Sequence, residues 1–251
     1  MFKQQKTNEL PISYIIIYLK KDGLPWHMSS QPSKEHDVIV SLVRSYEHDA
    51  TTCIYGPGGA GKTLLCMLSL IKTVQEGKKV IFIDTEKKFP VDRFQQICEN
   101  YQKILASTIF FQPESFEELS SVLELLSTTI SPSIGMIIVD TLTHYFRLEI
   151  SAHEDKKAIN SALGEQLDYL SEMRKKLGIP ILITTQVYAD MDQKEKVNPI
   201  GGDLIKTRCK TIIELEKLQG NLRRAILIKN RYEERGKHVV FEIVKNGISL
   251  L

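Results

Sequence analysis

Eight residues constrain this chain more than any other stretch: Gly56-Pro57-Gly58-Gly59-Ala60-Gly61-Lys62-Thr63. They match the spacing G-x-x-x-x-G-K-[ST], in which the backbone N–H groups of a glycine-rich turn wrap around phosphates. The helix that follows adds the positive end of its dipole. The flanks carry the periods that such a turn demands. Residues 52–55 (TCIY) are a short β-rich run. Residues 62–76 then place Leu65, Leu68 or Met67, Ile71 and Val74 on one helical face until Gly77 stops them. In that frame Gly56 to Gly61 cradle the phosphates, Lys62 reaches the β- and γ-phosphates, and the Thr63 hydroxyl meets Mg²⁺. The expected ligands are ATP and Mg²⁺.

The chain beyond repeats the alternation of strand and helix. Residues 80–84 (VIFID), 108–112 (TIFFQ), 136–140 (MIIVD) and 179–186 (IPILITTQ) read as buried strands. Residues 91–105 read as one helix, a second opens on the Ser115/Glu118 capping box and runs to about 128, and a third covers 155–177 up to Gly178. After it, residues 211–216, 224–229 and 239–244 read as strands with no helix between them. The pattern predicts an α/β nucleotide-binding core over residues 34–251, its mainly parallel sheet flanked by helices and extended by C-terminal antiparallel strands.

Residues 1–33 lack a period, contain Gly23, Pro25 and Pro32, and read as an N-terminal extension. Its apolar run, residues 10–19, is about half a membrane span. Lys20-Lys21-Asp22 stands where a signal peptide would place small residues for cleavage. The run is therefore expected to be an accessory strand, or sequence upstream of a start at Met28, and no membrane partner is expected. With 42% hydrophobic and 25% charged residues, the 251-residue chain falls in the ordinary globular range. That excludes collagen-like, disordered and disulfide-dense classes. Cys53, Cys66, Cys98 and Cys209 show no CxxC spacing, so neither a zinc site nor a disulfide framework is expected, and a reducing cytoplasm fits.

The strand ends carry the remaining chemistry. In a parallel sheet, the carboxyl ends of neighbouring strands face one crevice. Asp140 ends MIIVD, where a carboxylate can hold the magnesium shell. Glu86 follows VIFID by two residues and can take a proton from an attacking water. Gln186 ends IPILITTQ and can sense the γ-phosphate.

Taken in order, G-P-x-G-x-G-K-T, V-I-F-I-D-T-E-x-x-F-x-x-x-R, M-I-I-V-D and T-T-Q-V resemble the motif series of the RecA/RadA recombinase family. Residues 139–141, 145–149, 163–167, 185–190 and 198–203 carry the finer likeness, which is to the short RadA paralogs of archaea, the RadB group. The likeness runs over residues 34–251 and implies a RecA-like ATPase fold. By the same resemblance, Arg93 packs on the adenine. The segment after Gln186 is a DNA-facing loop, with Lys194, Lys196, Lys206, Arg208 and Lys210 able to neutralise phosphates. Lys229 and Arg231 match a lysine-x-arginine pair that either enters a neighbour's active site or touches DNA. Charge agrees with a polyanion partner: residues 194–237 hold twelve Lys or Arg against six acids, while the whole chain carries only +2.

Two features depart from the family pattern. Glu86 is followed by Lys87-Lys88 where the family usually has glycine. The first 33 residues cannot form the helix-hairpin-helix domain of full-length RadA. The resemblance therefore implies a DNA repair and recombination protein that assists a RadA-type recombinase, prefers single-stranded DNA, hydrolyses ATP weakly at most, and can self-associate. The rival reading is a KaiC-like regulatory ATPase with a protein partner and no DNA. Such proteins carry two adjacent carboxylates after the second strand, and this chain has only Glu86. A small-molecule kinase would need an arginine-rich lid, for which no segment stands out.

Overall fold

The computed structural model describes residues 15–16, 38–43, 50–189 and 197–251. In chain order the elements are β1 (Ile15–Ile16), α1 (Val38–Val43), β2 (Thr51–Tyr55), α2 (Lys62–Gln75), β3 (Lys79–Asp84), α3 (Val91–Ile97), α4 (Tyr101–Ala106), β4 (Thr108–Phe111) and α5 (Phe116–Thr129). Then follow β5 (Ile134–Asp140), α6 (His144–Ala152), α7 (Lys156–Leu177), β6 (Ile181–Thr185), β7 (Val187–Ala189), β8 (Val197–Pro199), α8 (Gly202–Arg208), β9 (Thr211–Lys217), β10 (Leu222–Lys229), β11 (His238–Val244) and β12 (Gly247–Leu250).

Ten strands form one sheet in the order β1-β4-β3-β5-β6-β2-β9-β10-β11-β12. From β4 to β9 the pairs are parallel, and β9 to β12 form an antiparallel meander. This is the expected α/β architecture. The apolar run at residues 10–19 contributes β1, an edge strand antiparallel to β4.

The parallel strands are apolar on both sides because both faces are covered. Ile54, Val80, Phe82, Met136 and Ile138 face one core with α1, α2 and α4. Cys53, Tyr55, Ile81, Ile83, Ile137 and Val139 face the other, with α5, α6 and α7. All four cysteines are buried thiols.

Two expectations need correction. The helix expected over 91–105 is two helices: Cys98 takes an extended conformation and Asn100 opens the next helix. On one continuous helix Phe94 and Ile104 would lie about 80° apart. The break lets both reach the same core. The segment between Gln186 and Thr211, expected to be a loop, holds the β7–β8 hairpin and α8 among its described residues. Only Ile205 of α8 is buried, too little to leave a period in the sequence.

Local signals account for three of the helix ends. Ser115 accepts the Glu118 N–H at 3.1 Å, as a capping residue should. Asp155 caps α7 by accepting the Ala158 N–H at 3.0 Å, and Gly178 ends it in the left-handed conformation (φ 63°).

Candidate nucleotide site

Strand order sets the site. β2, β6, β5 and β3 are successive neighbours, so their carboxyl ends bring the glycine-rich loop, Gln186, Asp140 and Glu86 to one crevice. The loop starts at Gly56, which packs against β9. A Cβ there would sit 2.4 Å from the Leu215 carbonyl oxygen, so no side chain fits. Below it, the Tyr55 hydroxyl donates to Glu214 at 2.9 Å and ties β2 to β9.

Lys62, at the start of α2, donates its ammonium to the carbonyls of Gly56 (2.7 Å) and Pro57 (3.0 Å). Burial pushes this ammonium below the ordinary lysine value, and the Asp140 and Glu86 carboxylates only partly offset the effect. A buried cation facing neutral carbonyls gains from an anion placed beside it.

Thr63 donates its hydroxyl to Asp140 Oδ2 at 2.7 Å. The other Asp140 oxygen accepts from Thr184 on β6. Burial raises the Asp140 carboxyl above the usual aspartate value, and Asp84 adds to the rise. The two threonine hydroxyls and Lys62 oppose it. A hydroxyl beside a buried carboxylate is a hard-oxygen pair of the kind that suits Mg²⁺, so these residues fit the ion.

Glu86 accepts from the Gln186 amide at 3.0 Å, and the Thr141 hydroxyl lies 3.4 Å away. Burial alone would lift its carboxyl. The Gln186 hydrogen bond, His144 and Lys88 outweigh burial and hold it below the ordinary glutamate value. It is therefore ionised at neutral pH, as a general base must be. Thr85 stitches the ends of β3 and β5 together: its hydroxyl donates to the Thr141 carbonyl at 2.7 Å and accepts the Thr141 N–H at 3.1 Å.

The turn bearing Glu86 hangs on Asp84, which the sequence reading missed. One Asp84 oxygen accepts the Lys88 N–H at 3.3 Å. The other accepts from the Phe89 N–H (3.0 Å) and the Gln112 amide (3.1 Å). The strand-end logic that found Asp140 applies equally to Asp84, the last residue of β3. Lys87 has φ 53°, the left-handed region that favours glycine. Its ammonium pairs with Glu114. Lys88 reaches Glu86 at 3.5 Å.

The basic residues fare differently. Lys194 and Lys196 lie outside the described residues. Arg208 pairs with Asp168 on α7, and Lys206 lies 3.8 Å from Asp203. Arg224 pairs with Glu216 at 2.7 Å and Lys237 with Glu233 at 2.9 Å, both acids of the same segment, so of these ion pairs only Arg208 with Asp168 offsets the C-terminal charge excess. Lys210 lies between α8 and β9, its N–H donating to the Thr51 carbonyl at 3.1 Å. Lys229 donates to the carbonyls of Lys206 (2.6 Å) and Cys209 (2.8 Å), at the C-terminal end of α8. Arg231 lies over the Tyr232 ring, 5.9 Å from its centre, and that tyrosine is 74% exposed. Arg93 donates to the carbonyls of Val244 (2.6 Å) and Lys245 (2.7 Å) in the β11–β12 turn. Arg93 is thus tied to the β11–β12 turn through both of its Nη nitrogens.

The profile of the Rad51 family matches residues 30–250. The chain belongs to the Rad51 family. Among Rad51-type relatives it is 38% identical over 204 residues to the DNA repair and recombination protein RadB of Methanococcoides burtonii, a match covering 81% of this chain and 90% of that one. To the protein of the same name from Methanocaldococcus jannaschii it is 36% identical over 217 residues, covering 84% and 97%. A crystal structure of the RadB recombinase superposes with a TM-score of 0.73 at 30% identity, over 85% of this chain and 96% of that one. The fold is thus the RecA-like P-loop fold, as the motif series implied. No helix among the described residues is long and apolar enough to cross a membrane.

Proposed function

We propose that this chain is an ATP- and Mg²⁺-binding protein of DNA repair and homologous recombination. In this reading it binds DNA, preferentially single-stranded, and assists a RadA-type recombinase. The observation that carries the nucleotide part is the convergence of four strand ends: Thr63 on Asp140 at 2.7 Å and Gln186 on Glu86 at 3.0 Å, with Lys62 between. The DNA part rests on the names of its relatives and on the basic C-terminal third.

Chemically, the glycine-rich loop and Lys62 hold the phosphates, and the flat face of Arg93 covers the base. Thr63 and Asp140 would hold Mg²⁺, which supplies charge neutralisation on the phosphate oxygens. Glu86 orients a water in line with the γ-phosphoryl group and accepts its proton. Gln186 hydrogen-bonds Glu86 and begins the β7–β8 segment, so one side chain joins the hydrolytic carboxylate to the proposed DNA surface. Self-association, and either entry of Lys229 and Arg231 into a neighbour's site or their contact with DNA, belong to the same proposal. A KaiC-like regulator without DNA is disfavoured by the family match over residues 30–250.

A gel-shift titration with labelled single-stranded DNA, with and without ATP and across salt, tests it. The expected result is retention that falls steeply with salt and changes with ATP. Gln186→Ala should erase the ATP effect while ATP affinity stays within a few-fold. Retention that is absent at low salt, with or without ATP, overturns the DNA reading.

A further inference from the structure

One arginine that neither the motifs nor the site chemistry uses grips the phosphate-binding loop from outside. Arg223 of β10 is 8% exposed. Its Nε and Nη2 both donate to the Gly59 carbonyl, at 3.2 and 3.1 Å. Its remaining nitrogen, Nη1, donates to the carbonyls of Gly220 (3.0 Å) and Leu222 (2.8 Å), which fixes the guanidinium to the β9–β10 turn. A buried cation thus joins the C-terminal meander to the middle of the glycine-rich loop.

The consequence follows from peptide geometry. In a planar trans peptide the carbonyl of one residue and the N–H of the next point in opposite directions. Arg223 draws the Gly59 carbonyl outward, so the Ala60 N–H points inward, where it donates to the Pro57 carbonyl at 3.2 Å. Gly59 has φ 73° and no side chain to resist rotation. A flip of the Gly59–Ala60 peptide would aim a carbonyl oxygen at the space that phosphates fill, and like partial charges would then repel.

We propose that Arg223 is a positioning residue that sets the inward orientation of the loop's amides for the phosphates of a nucleoside di- or triphosphate. The inference rests on the nucleotide-site reading above and adds a role for the C-terminal meander. Because it concerns the amide cradle, which surrounds the α- and β-phosphates, its loss weakens ATP and ADP alike.

The test titrates fluorescent ATP and ADP analogues against the wild type, Arg223→Lys and Leu126→Ala. Lysine keeps the charge but cannot grip one carbonyl with two donors while bonding two others. Leu126, buried on α5 in the opposite core, serves as the control for lost stability. The expected result is a fall of about tenfold in both affinities for Arg223→Lys, the scale of one charge-assisted hydrogen bond. Leu126→Ala should melt lower with unchanged affinities. Wild-type affinity in Arg223→Lys overturns the proposal and leaves the nucleotide site standing, whereas a wild type that binds neither nucleotide overturns both. Hydrogen exchange on the wild type gives a check that needs no variant. The Ala60 amide should be protected before nucleotide is added, and exchange at the rate of an unstructured chain refutes the pre-set loop.

Discussion

Replacing Asp84 by Asn tests whether the turn carrying Glu86 is held by a neighbouring carboxylate. Asp84 is 4% exposed and accepts three hydrogen bonds, from Lys88, Phe89 and Gln112. Asparagine keeps the volume but has one acceptor oxygen. With that oxygen placed towards Phe89 and Gln112, the new NH₂ group faces the Lys88 N–H, and a bond of about 1 kcal/mol is lost. The two surviving bonds lose the help of the charge, about 1 kcal/mol each. Relief from keeping a charge buried offsets part of this, leaving a net loss of about 2 kcal/mol. For a chain of this size that is a drop of about 4–8 °C in Tm. Urea denaturation should show it, with Gln112→Ala costing about half as much. ATP hydrolysis should fall as well, because Glu86 rides on the turn, while ATP affinity, set by the glycine-rich loop, should hold. An Asn variant as stable as the wild type that loses ATP binding would refute this, and would make Asp84 a ligand of the nucleotide site.

Further outcomes follow from the same geometry. Ser115→Ala should cost about 1 kcal/mol in urea denaturation, because it strips α5 of its cap. Lys88→Ala should move the acid limb of the pH–rate profile upward. Lys88 helps to hold the Glu86 carboxyl below its ordinary value, and hydrolysis fails as pH falls through that carboxyl's pKa. Added salt should move the wild-type limb in the same direction, since the Lys88 side chain is 76% exposed and easily screened. A limb that stays in place in Lys88→Ala would remove Lys88 from the control of Glu86.

The parallel core was legible because its strands are buried on both faces, which leaves unbroken apolar runs such as VIFID and MIIVD, and because each strand end bears one polar residue with a task. α7 announced itself through Asp155, a sustained period and Gly178. What stayed hidden had little to bury: α6 buries only Phe146, and α8 only Ile205. The split between α3 and α4 is a tertiary demand, the need of Phe94 and Ile104 to reach one core, and no local signal at Cys98 declares it. The grip of Arg223 on the glycine-rich loop was invisible for another reason. Its partners are backbone carbonyls 3 to 164 positions away along the chain, or the one beside it, and such contacts leave no pattern in side-chain type.

The central claim is that this crevice binds ATP through the Gly56–Thr63 loop. The most direct measurement titrates ATP, with and without Mg²⁺, against the wild type and Lys62→Ala, with circular dichroism to confirm that both are folded. The account predicts Mg²⁺-supported binding by the wild type. It predicts a loss of about 2–3 kcal/mol, near a hundredfold in Kd, when the buried ammonium is removed. A folded Lys62→Ala protein that binds ATP as tightly as the wild type would contradict it.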